Sequence, residues 1–507
     1  MMKPFYITTP IYYVNAQPHI GHVYSTLIGD VLKRYKKLSN NDVYLLTGTD
    51  EHGLKVDQSA QKANMTPKEF TDNISNIFRT YFNELQFDYD RFIRTTDEDH
   101  IDEVKKMWNV MYDKGDIYLG EYEGWYSISD ETFVPENMIE DRIDIKTGEL
   151  YKVYKETNNR VEKLVEKNYM FKLSKYKQQI LEYIRQPDFI VPKFKQEEVI
   201  RTLESDLPDL SVSRKKTITT WGITVPNDPD HIIYVWLDAL ANYKTGGDGF
   251  GSDVFPADIH IIGKDILKFH AIYWIGFLLS CGLPLPKKIL SHGWWLSDGV
   301  KMSKSLNNVV DPRKMITTYG LDEFRYFLLR ESSFESDGNF TEGSIRTRII
   351  ELANTIGNLA CRCLCTKLNP TDNIPNSYEL VDILDIELVD KLNKMICDSD
   401  KYMKIPDIQT YIITIYNYSQ EVNKYITSME PWKLIKINTE RFNQVKYNML
   451  ESLRIISILL SPILVEKTKI ILGHLQINII DKSMLRYGFF SEKNKINRDI
   501  EILFNKN

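Results

Sequence analysis

Apolar positions along this 507-residue chain follow two regimes. In the first, short β-branched and aromatic runs alternate with stretches whose apolar residues recur every three or four positions. Phe5-Tyr6-Ile7-Thr8-Thr9 predicts a short buried strand ended by Pro10, and Val23, Leu27, Val31 and Tyr35 predict an amphipathic helix starting near His19. Val43 to Thr47 predicts a second strand, which runs into the polar turn Thr47-Gly48-Thr49-Asp50-Glu51-His52-Gly53. Thr66-Pro67-Lys68-Glu69 has a capping threonine, a proline at the first helical position and a glutamate at the third. Another helix is expected over Asp97 to Lys114, capped by Thr96 and stopped by Gly115. Strand-helix alternation of this kind implies a parallel, doubly wound sheet with ligands at the carboxyl ends of its strands.

From about 116 to 230 aromatics and charges mix in short strands such as Ile117-Tyr118-Leu119 and Gly124-Trp125-Tyr126-Ser127-Ile128, with a turn at Lys146-Thr147-Gly148. The α/β pattern resumes at Ile232 to Leu237 and at Ile259-His260-Ile261-Ile262-Gly263. A helix with Phe269, Tyr273 and Leu279 follows, then a strand at Ile289-Leu290-Ser291-His292-Gly293. The second regime begins near residue 342 and is helical throughout: Ile349, Leu352, Ile356, Leu359 and Cys363, then Met449, Leu453, Ile456 and Leu460. The expected fold class is therefore α/β, a Rossmann-like parallel sheet split by a connective insertion and followed by an all-α helical bundle. Its segments are 1–115 and 231–341 for the two halves of the sheet domain, 116–230 for the insertion and 342–507 for the bundle. The polar tail from Lys493 to Asn507 is expected to fray.

Composition narrows the class. Hydrophobic residues at 43% and aromatics at 12% are ample for large cores, and no apolar run reaches the roughly eighteen residues of a membrane span. Met1-Met2-Lys3-Pro4-Phe5 enters a strand with no room for a signal peptide, which points to the cytoplasm. The five cysteines, Cys281, Cys361, Cys363, Cys365 and Cys397, are an odd set that fits reduced thiols. Cys361, Cys363 and Cys365 do not converge on one ion, because on a helix Cys363 faces away from the other two. A net charge of −6 disfavours sequence-blind coating of nucleic acid, so a nucleic-acid partner would meet local basic patches.

Two short stretches carry the chemistry. At Pro18-His19-Ile20-Gly21-His22 a helix begins, and its free amides with the positive end of the dipole make an anion site. Gly21 permits close approach, and His19 and His22 lie on one side of the first turn. Alone, the two histidines favour a helix-capping pair or a metal pair over a phosphate site. The second stretch is Lys301-Met302-Ser303-Lys304-Ser305.

His19-Ile20-Gly21-His22 and Lys301 to Ser305, in that order across a split sheet, resemble the signature of class I aminoacyl-tRNA synthetases. Within that class the chain is similar to the methionyl-tRNA synthetase family from about residue 4 to at least 435. The resembling stretches are Thr9-Pro10-Ile11-Tyr12-Tyr13, Gly48 to Gly53, Tyr234-Val235-Trp236-Leu237-Asp238-Ala239, Ile262-Gly263-Lys264-Asp265-Ile266 and Ser291-His292-Gly293-Trp294-Trp295. In the bundle they are Asn358-Leu359-Ala360-Cys361-Arg362 and Glu430-Pro431-Trp432.

The resemblance implies ATP, taken with Mg2+, as co-substrate, and L-methionine and tRNA(Met) as partners. It makes His19, His22, Lys301 and Lys304 catalytic, with Gly21, Ser303 and Ser305 also at ATP, and Lys304 the more critical lysine. It places methionine among Ile11, Tyr13, Asp50, Trp236, Ala239, Leu240, Tyr243, Ile266, His270 and Trp274, with Asp50 on the ammonium. The family often has proline at the position of Leu240. It gives the anticodon to Asn358, Arg362 and Trp432. Many members bind zinc in the insertion on Cys-x-x-Cys pairs, but residues 116–230 hold no cysteine, and Ser127 and Asp130 stand where a pair would begin. A serine and one carboxylate are poor zinc ligands, so no structural zinc is expected. The insertion is also too short for a hydrolytic editing domain. The family's extra carboxy-terminal tRNA-binding domain, which often dimerises the bacterial enzymes, has no room before Asn507, so a monomer is expected.

Overall fold

The computed structural model describes residues 3–504 apart from 16, 128, 130, 131, 135, 145, 146, 218, 249–253, 303–307, 377–379, 381 and 492. Its contacts form two compact units, one of Met1–Pro18 and Tyr44–His292, the other of His19–Val43 and Gly293–Asn507.

The first unit is built on strands β1 (Phe5–Tyr13), β2 (Val43–Asp50), β3 (Arg91–Arg94), β4 (Ile117–Ser127), β5 (Arg160–Phe171), β6 (Ile190–Val191), β7 (Ile259–Gly263) and β8 (Ile289–His292). Six of these make the central sheet, in the order β3-β2-β1-β7-β8-β6. The registers Leu46↔Arg91, Ile7↔Ile259, His260↔Ile289 and Ile289↔Ile190 are all parallel. Every residue of β2 is buried, as expected for a strand covered on both faces. β1 does not stop at Pro10 but runs on to Tyr13. Its last registered pair with β7 is Thr8↔His260, so on that side the missing proline N–H falls past the ladder.

Helix starts follow the local signals with one exception. Thr66 and Glu69 form the expected capping box on Pro67–Glu84. The helix Glu98–Asp113, however, is entered through Asp97 rather than Thr96. The Thr96 hydroxyl instead donates to Glu51 Oε2 at 2.6 Å.

The insertion differs most from its sequence reading. The two short strands expected at 117–119 and 124–128 are one strand, β4, paired antiparallel with β5 from Ile117↔Phe171 to Ser127↔Val161. Two unexpected helices, Leu173–Ile184 and Lys193–Glu204, follow. Between them β6 returns to the central sheet as its edge. Ile232 to Leu237 is not a strand of that sheet either. Asp228–Ile233 pairs antiparallel with Ser213–Lys215, and the helix Val235–Asp248 starts two residues later. A short apolar run buried on all sides has no periodicity to separate strand from helix.

The second unit contains the helix Ile20–Lys37, a three-stranded sheet, and the helices that follow. Asp30 on the first helix and Arg325 on Leu321–Glu331 pair at 2.5 Å, and Arg325 also donates to the carbonyls of Pro462 and Ile463, both at 2.9 Å. The positions read as helical stripes are core: Ile349, Leu352, Ile356, Leu359 and Cys363 are buried, as are Met449, Leu453, Ile456 and Leu460. The carboxy-terminal segment, expected to fray, is packed instead. Asn373 bridges Lys495, and Ile496 and Phe504 are buried. A Cβ on Gly357 would stand 3.1 Å from the Phe504 ring. The apolar residues Ile496, Leu503 and Phe504, spaced through a polar tail, carry this packing and give no periodic signal.

Among the described residues no helix is long and apolar enough to cross a membrane. The described cysteines are all free. Cys363 is buried while Cys361 and Cys365 are partly exposed, as the helical spacing predicts.

Candidate active site

Of the pocket residues, the first unit contributes Asp50 from the carboxyl end of β2, where it is 2% exposed. Ile11 and Tyr13 come from the end of β1 and are partly buried against the main core. Trp236, Ala239, Leu240 and Tyr243 lie on the helix Val235–Asp248 and are all buried. Ile266 ends a short 3-10 turn after β7, and His270 and Trp274 follow on Phe269–Trp274, which is π-helical rather than the regular helix expected. The wider turn is a frequent accompaniment of functional sites.

These side chains interlock. The Trp236 ring meets Tyr13 edge-on at 6.4 Å and His270 at 6.3 Å between centroids. Tyr243 meets Trp274 at 6.0 Å. His270 Nδ1 lies 2.9 Å from the Ile266 carbonyl and Nε2 lies 2.7 Å from the Tyr243 hydroxyl. Burial pushes the His270 imidazole down to about 4, so it is neutral at physiological pH. A carbonyl only accepts, so the single ring proton sits on Nδ1, and the Tyr243 hydroxyl donates to Nε2. Ile266 thus orients His270 through its backbone.

Sequence reasoning missed three parts of this wall. Phe269 stacks on Trp236 at 3.8 Å with ring planes 6° apart. His260, a polar residue inside the apolar run of β7, bonds Thr8 Oγ1 at 2.6 Å and lies 4.3 Å from the Tyr243 ring. The turn that carries Asp50 is itself braced. Glu51 takes a two-pronged bond from Arg94 at 2.7 and 2.8 Å, and its carbonyl accepts from Trp221 Nε1 at 2.5 Å. His260 was visible as an imidazole in an otherwise apolar strand; Phe269 and Trp221 gave no signal distinct from core.

The phosphate motifs fall in the second unit. His19 is the cap of Ile20–Lys37: its Nδ1 accepts from the Gly21 amide at 3.1 Å, and His22 Nδ1 accepts from the His19 amide at 3.1 Å. The two rings stack with centroids 3.7 Å apart, and a Cβ on Gly21 would come within 2.9 Å of the His19 ring. The capping reading of this pair is therefore correct, and it leaves the anion reading intact. Burial pushes His19 down to about 4 and His22 well below its usual range, with His19 itself adding to the effect on His22. Each is neutral with Nδ1 an acceptor, so each carries its proton on Nε2 and is a donor there.

Lys301 ends a hairpin of Trp295–Ser297 and Val300–Lys301. Its two-residue turn is Asp298-Gly299, with φ of 50° and 77°, the Asp-Gly pair that such turns require. The Lys301 ammonium lies 4.0 Å from the centre of the Trp294 ring. Trp295 meets Tyr24 of the helix Ile20–Lys37 at 5.7 Å, so the two motifs are tied within one unit. Ser303, Lys304 and Ser305 lie outside the described residues.

On the helical side, Asn358 and Arg362 share a face of Asn358–Leu364, as their spacing requires. Both are oriented by Asn423, which sequence reasoning missed. Asn358 donates to its side-chain oxygen at 3.0 Å and Arg362 to its carbonyl at 3.0 Å. Trp432 sits partly exposed on the short helix Pro431–Ile437. In the insertion, Ser127 is buried, Asp130 lies outside the described residues, and Val134, Tyr154 and Val161 form a small apolar core with Trp125, Met138 and Ile139. Among the described residues no cluster of three or more His, Cys, Asp or Glu is placed to hold a metal.

Comparison with known proteins adds an independent line. A family described as tRNA synthetases class I (M) matches residues 5–364. The methionine–tRNA ligase of Rickettsia felis is 42% identical over 489 residues, covering 94% of this chain and 93% of that protein. The methionine–tRNA ligase of Bacillus subtilis is 40% identical over 496 residues, covering 95% and 74%. The structure of Mycobacterium tuberculosis methionyl-tRNA synthetase bound by methionyl-adenylate superposes with a TM-score of 0.93 at 37% identity, covering 99% of this chain and 100% of that one. With the neutral, capped histidines, the lysine hairpin and the cluster of aromatic rings already described, these matches show that the chain belongs to the class I tRNA synthetase (M) family and is an aminoacyl-tRNA synthetase.

Proposed function

We infer that this chain is a methionine–tRNA ligase, which activates L-methionine with ATP to methionyl-adenylate, releases pyrophosphate and transfers methionine to the 3'-terminal adenosine of tRNA(Met). The observation that carries the methionine assignment is the aromatic wall of Tyr13, Trp236, Tyr243, His270 and Trp274 in the same unit as the buried carboxylate of Asp50. An unbranched thioether offers no charge to read, so shape and polarizable ring contact must select it. Asp50 holds the substrate ammonium, because a carboxylate is the natural partner for that cation. Ile11, Ala239, Leu240 and Ile266 complete the apolar wall.

Activation is attack of the methionine carboxylate on the α-phosphate of ATP, and its demand is alignment and charge stabilisation. His19 and His22 donate through Nε2 to phosphate oxygens, and the helix amides beside Gly21 add fixed dipoles. Lys301 and Lys304 offset the charge on the β and γ phosphates as pyrophosphate leaves, and Ser303 and Ser305 donate hydrogen bonds to them. ATP enters as its Mg2+ complex. Asn358 and Arg362 hydrogen-bond anticodon bases, and Trp432 gives one of them a stacking surface. The reading keeps 1–115 and 231–341 as the catalytic halves, 116–230 as a zinc-free insertion and 342–507 as the anticodon-binding segment of a cytoplasmic monomer.

The test is amino-acid-dependent exchange of labelled pyrophosphate into ATP without tRNA. Exchange with methionine is expected; exchange with leucine instead would overturn the specificity. Lys304→Ala should slow that exchange by roughly a hundredfold or more while tRNA affinity holds. The opposite pattern would remove the loop from phosphate chemistry.

A further inference from the structure

We propose that Asp238, with His52 and His100, is a positioning hub that fixes the ammonium-binding Asp50 against the helix that walls the methionine pocket. The proposal rests on the assignment of Asp50 and the pocket made above.

Asp238 lies on the helix Val235–Asp248, which also carries Trp236, Ala239, Leu240 and Tyr243. Its carboxylate is 1% exposed. Oδ2 takes a bond from His52 Nδ1 at 2.7 Å, and Oδ1 takes one from His100 Nε2 at 2.8 Å. His52 follows Asp50 by two residues in the turn after β2, and His100 lies in the first turn of Glu98–Asp113. Three elements thus meet on one carboxylate. A carboxylate without a proton only accepts, so each imidazole must turn a proton-bearing nitrogen towards it, which fixes both rings. Burial alone would raise the Asp238 carboxyl, but the two imidazoles outweigh that and hold it below the usual carboxylate range.

The remaining bonds extend the clamp. His100 Nδ1 lies 3.1 Å from Thr245 Oγ1, so one ring grips the pocket helix at two points seven residues apart. The His52 ring meets Trp221 edge-on at 5.4 Å, while the Gly53 amide donates to the Trp221 carbonyl at 3.0 Å. The Asp50 turn is therefore held from the pocket helix through His52 and also by Trp221. No atom of the hub belongs to the pocket wall itself. Its contribution is geometric: it sets where the carboxylate for the ammonium stands relative to the rings for the side chain. A site that selects by shape tolerates little drift in that relation, and a displacement of about 1 Å can cost roughly a hundredfold.

The geometry distinguishes the two imidazoles. An asparagine amide nitrogen reaches about as far as a histidine Nδ1, and a glutamine amide nitrogen about as far as Nε2. His52→Asn and His100→Gln should therefore keep the bond that His52→Ala and His100→Ala lose. The experiment measures pyrophosphate exchange with methionine and ATP varied separately, in the full-length chain. His52→Ala should raise the methionine KM by roughly a hundredfold and leave the ATP KM within about twofold, and His52→Asn should recover most of the loss. His100→Gln against His100→Ala repeats the comparison at the second contact, with thermal unfolding recorded for all four. A parental methionine KM in His52→Ala, an equal loss in both substrates, or no advantage of the amide variants over alanine would overturn the hub. Asp50→Ala separates the two levels. If it too leaves the methionine KM unchanged, the pocket assignment falls; if it alone raises the KM, the assignment stands and the hub falls.

Discussion

The proposed methionine pocket around Tyr243 and the proposed anticodon face around Arg362 are built in opposite ways. In the first, Tyr243 and His270 are buried, and with the Ile266 carbonyl they spend their hydrogen bonds on one another. In the second, Asn358 is exposed and Arg362 half-buried, and their bonds to Asn423 and Thr427 orient side chains that still face outward. A pocket for an uncharged side chain selects by shape and ring contact. A polar face that reads bases can let its side chains exchange internal partners for those of the ligand. The turn at His19 differs again, since His19 and His22 both spend Nδ1 on the helix start.

The sharpest way to break this comparison is Asp50→Ala, which removes the only charge proposed to contact methionine. A lost partner for a desolvated ammonium costs about 4 kcal/mol, so methionine-dependent exchange should fall roughly a thousandfold with tRNA affinity retained. A loss below tenfold would mean that the rings alone hold the substrate. Tyr243→Phe is the next step down. It leaves His270 Nε2 buried without its donor, at about 1–2 kcal/mol, and methionine KM should rise about tenfold. An unchanged KM would make Tyr243 packing only.

Trp432→Ala tests the other side. Loss of one stacking surface costs about 1–3 kcal/mol, seen as a raised tRNA KM in aminoacylation with pyrophosphate exchange unaffected. A normal tRNA KM would take Trp432 out of the anticodon site. The smallest effect is on stability. His270 sits at about 4 when folded against an ordinary value of 6.5. Between those values the unfolded chain binds a proton that the folded chain refuses, so stability is full above about pH 6.5 and declines as pH falls towards 4. Tm should drop between pH 7 and 5, and less steeply in His270→Gln; equal slopes would mean that other groups set the decline.

Much of this was legible from residue order, for physical reasons that differ from place to place. The start of Ile20–Lys37 and the Thr66 box were readable because caps act within four residues. The helical stripes through Ile349 and Met449 were readable because they repeat. What failed depended on distance. Pro10 suggests a strand end until one knows where the ladder with β7 stops, and β6 is two residues whose place in the sheet only a remote partner defines. At the candidate site, Asp50, Trp236 and His270 were reached by resemblance, whereas Asn423 and Asp238 act through partners far away in sequence and carry no local pattern.

The buried ring of Phe504 against Gly357 also sets an order of events during synthesis. Translation proceeds from the amino end at about 5–20 residues per second. The turn that precedes Asn358 and Arg362 therefore leaves the ribosome long before the ring that covers it. Until residue 504 emerges, the helix that carries Asn358 and Arg362 has an open flank.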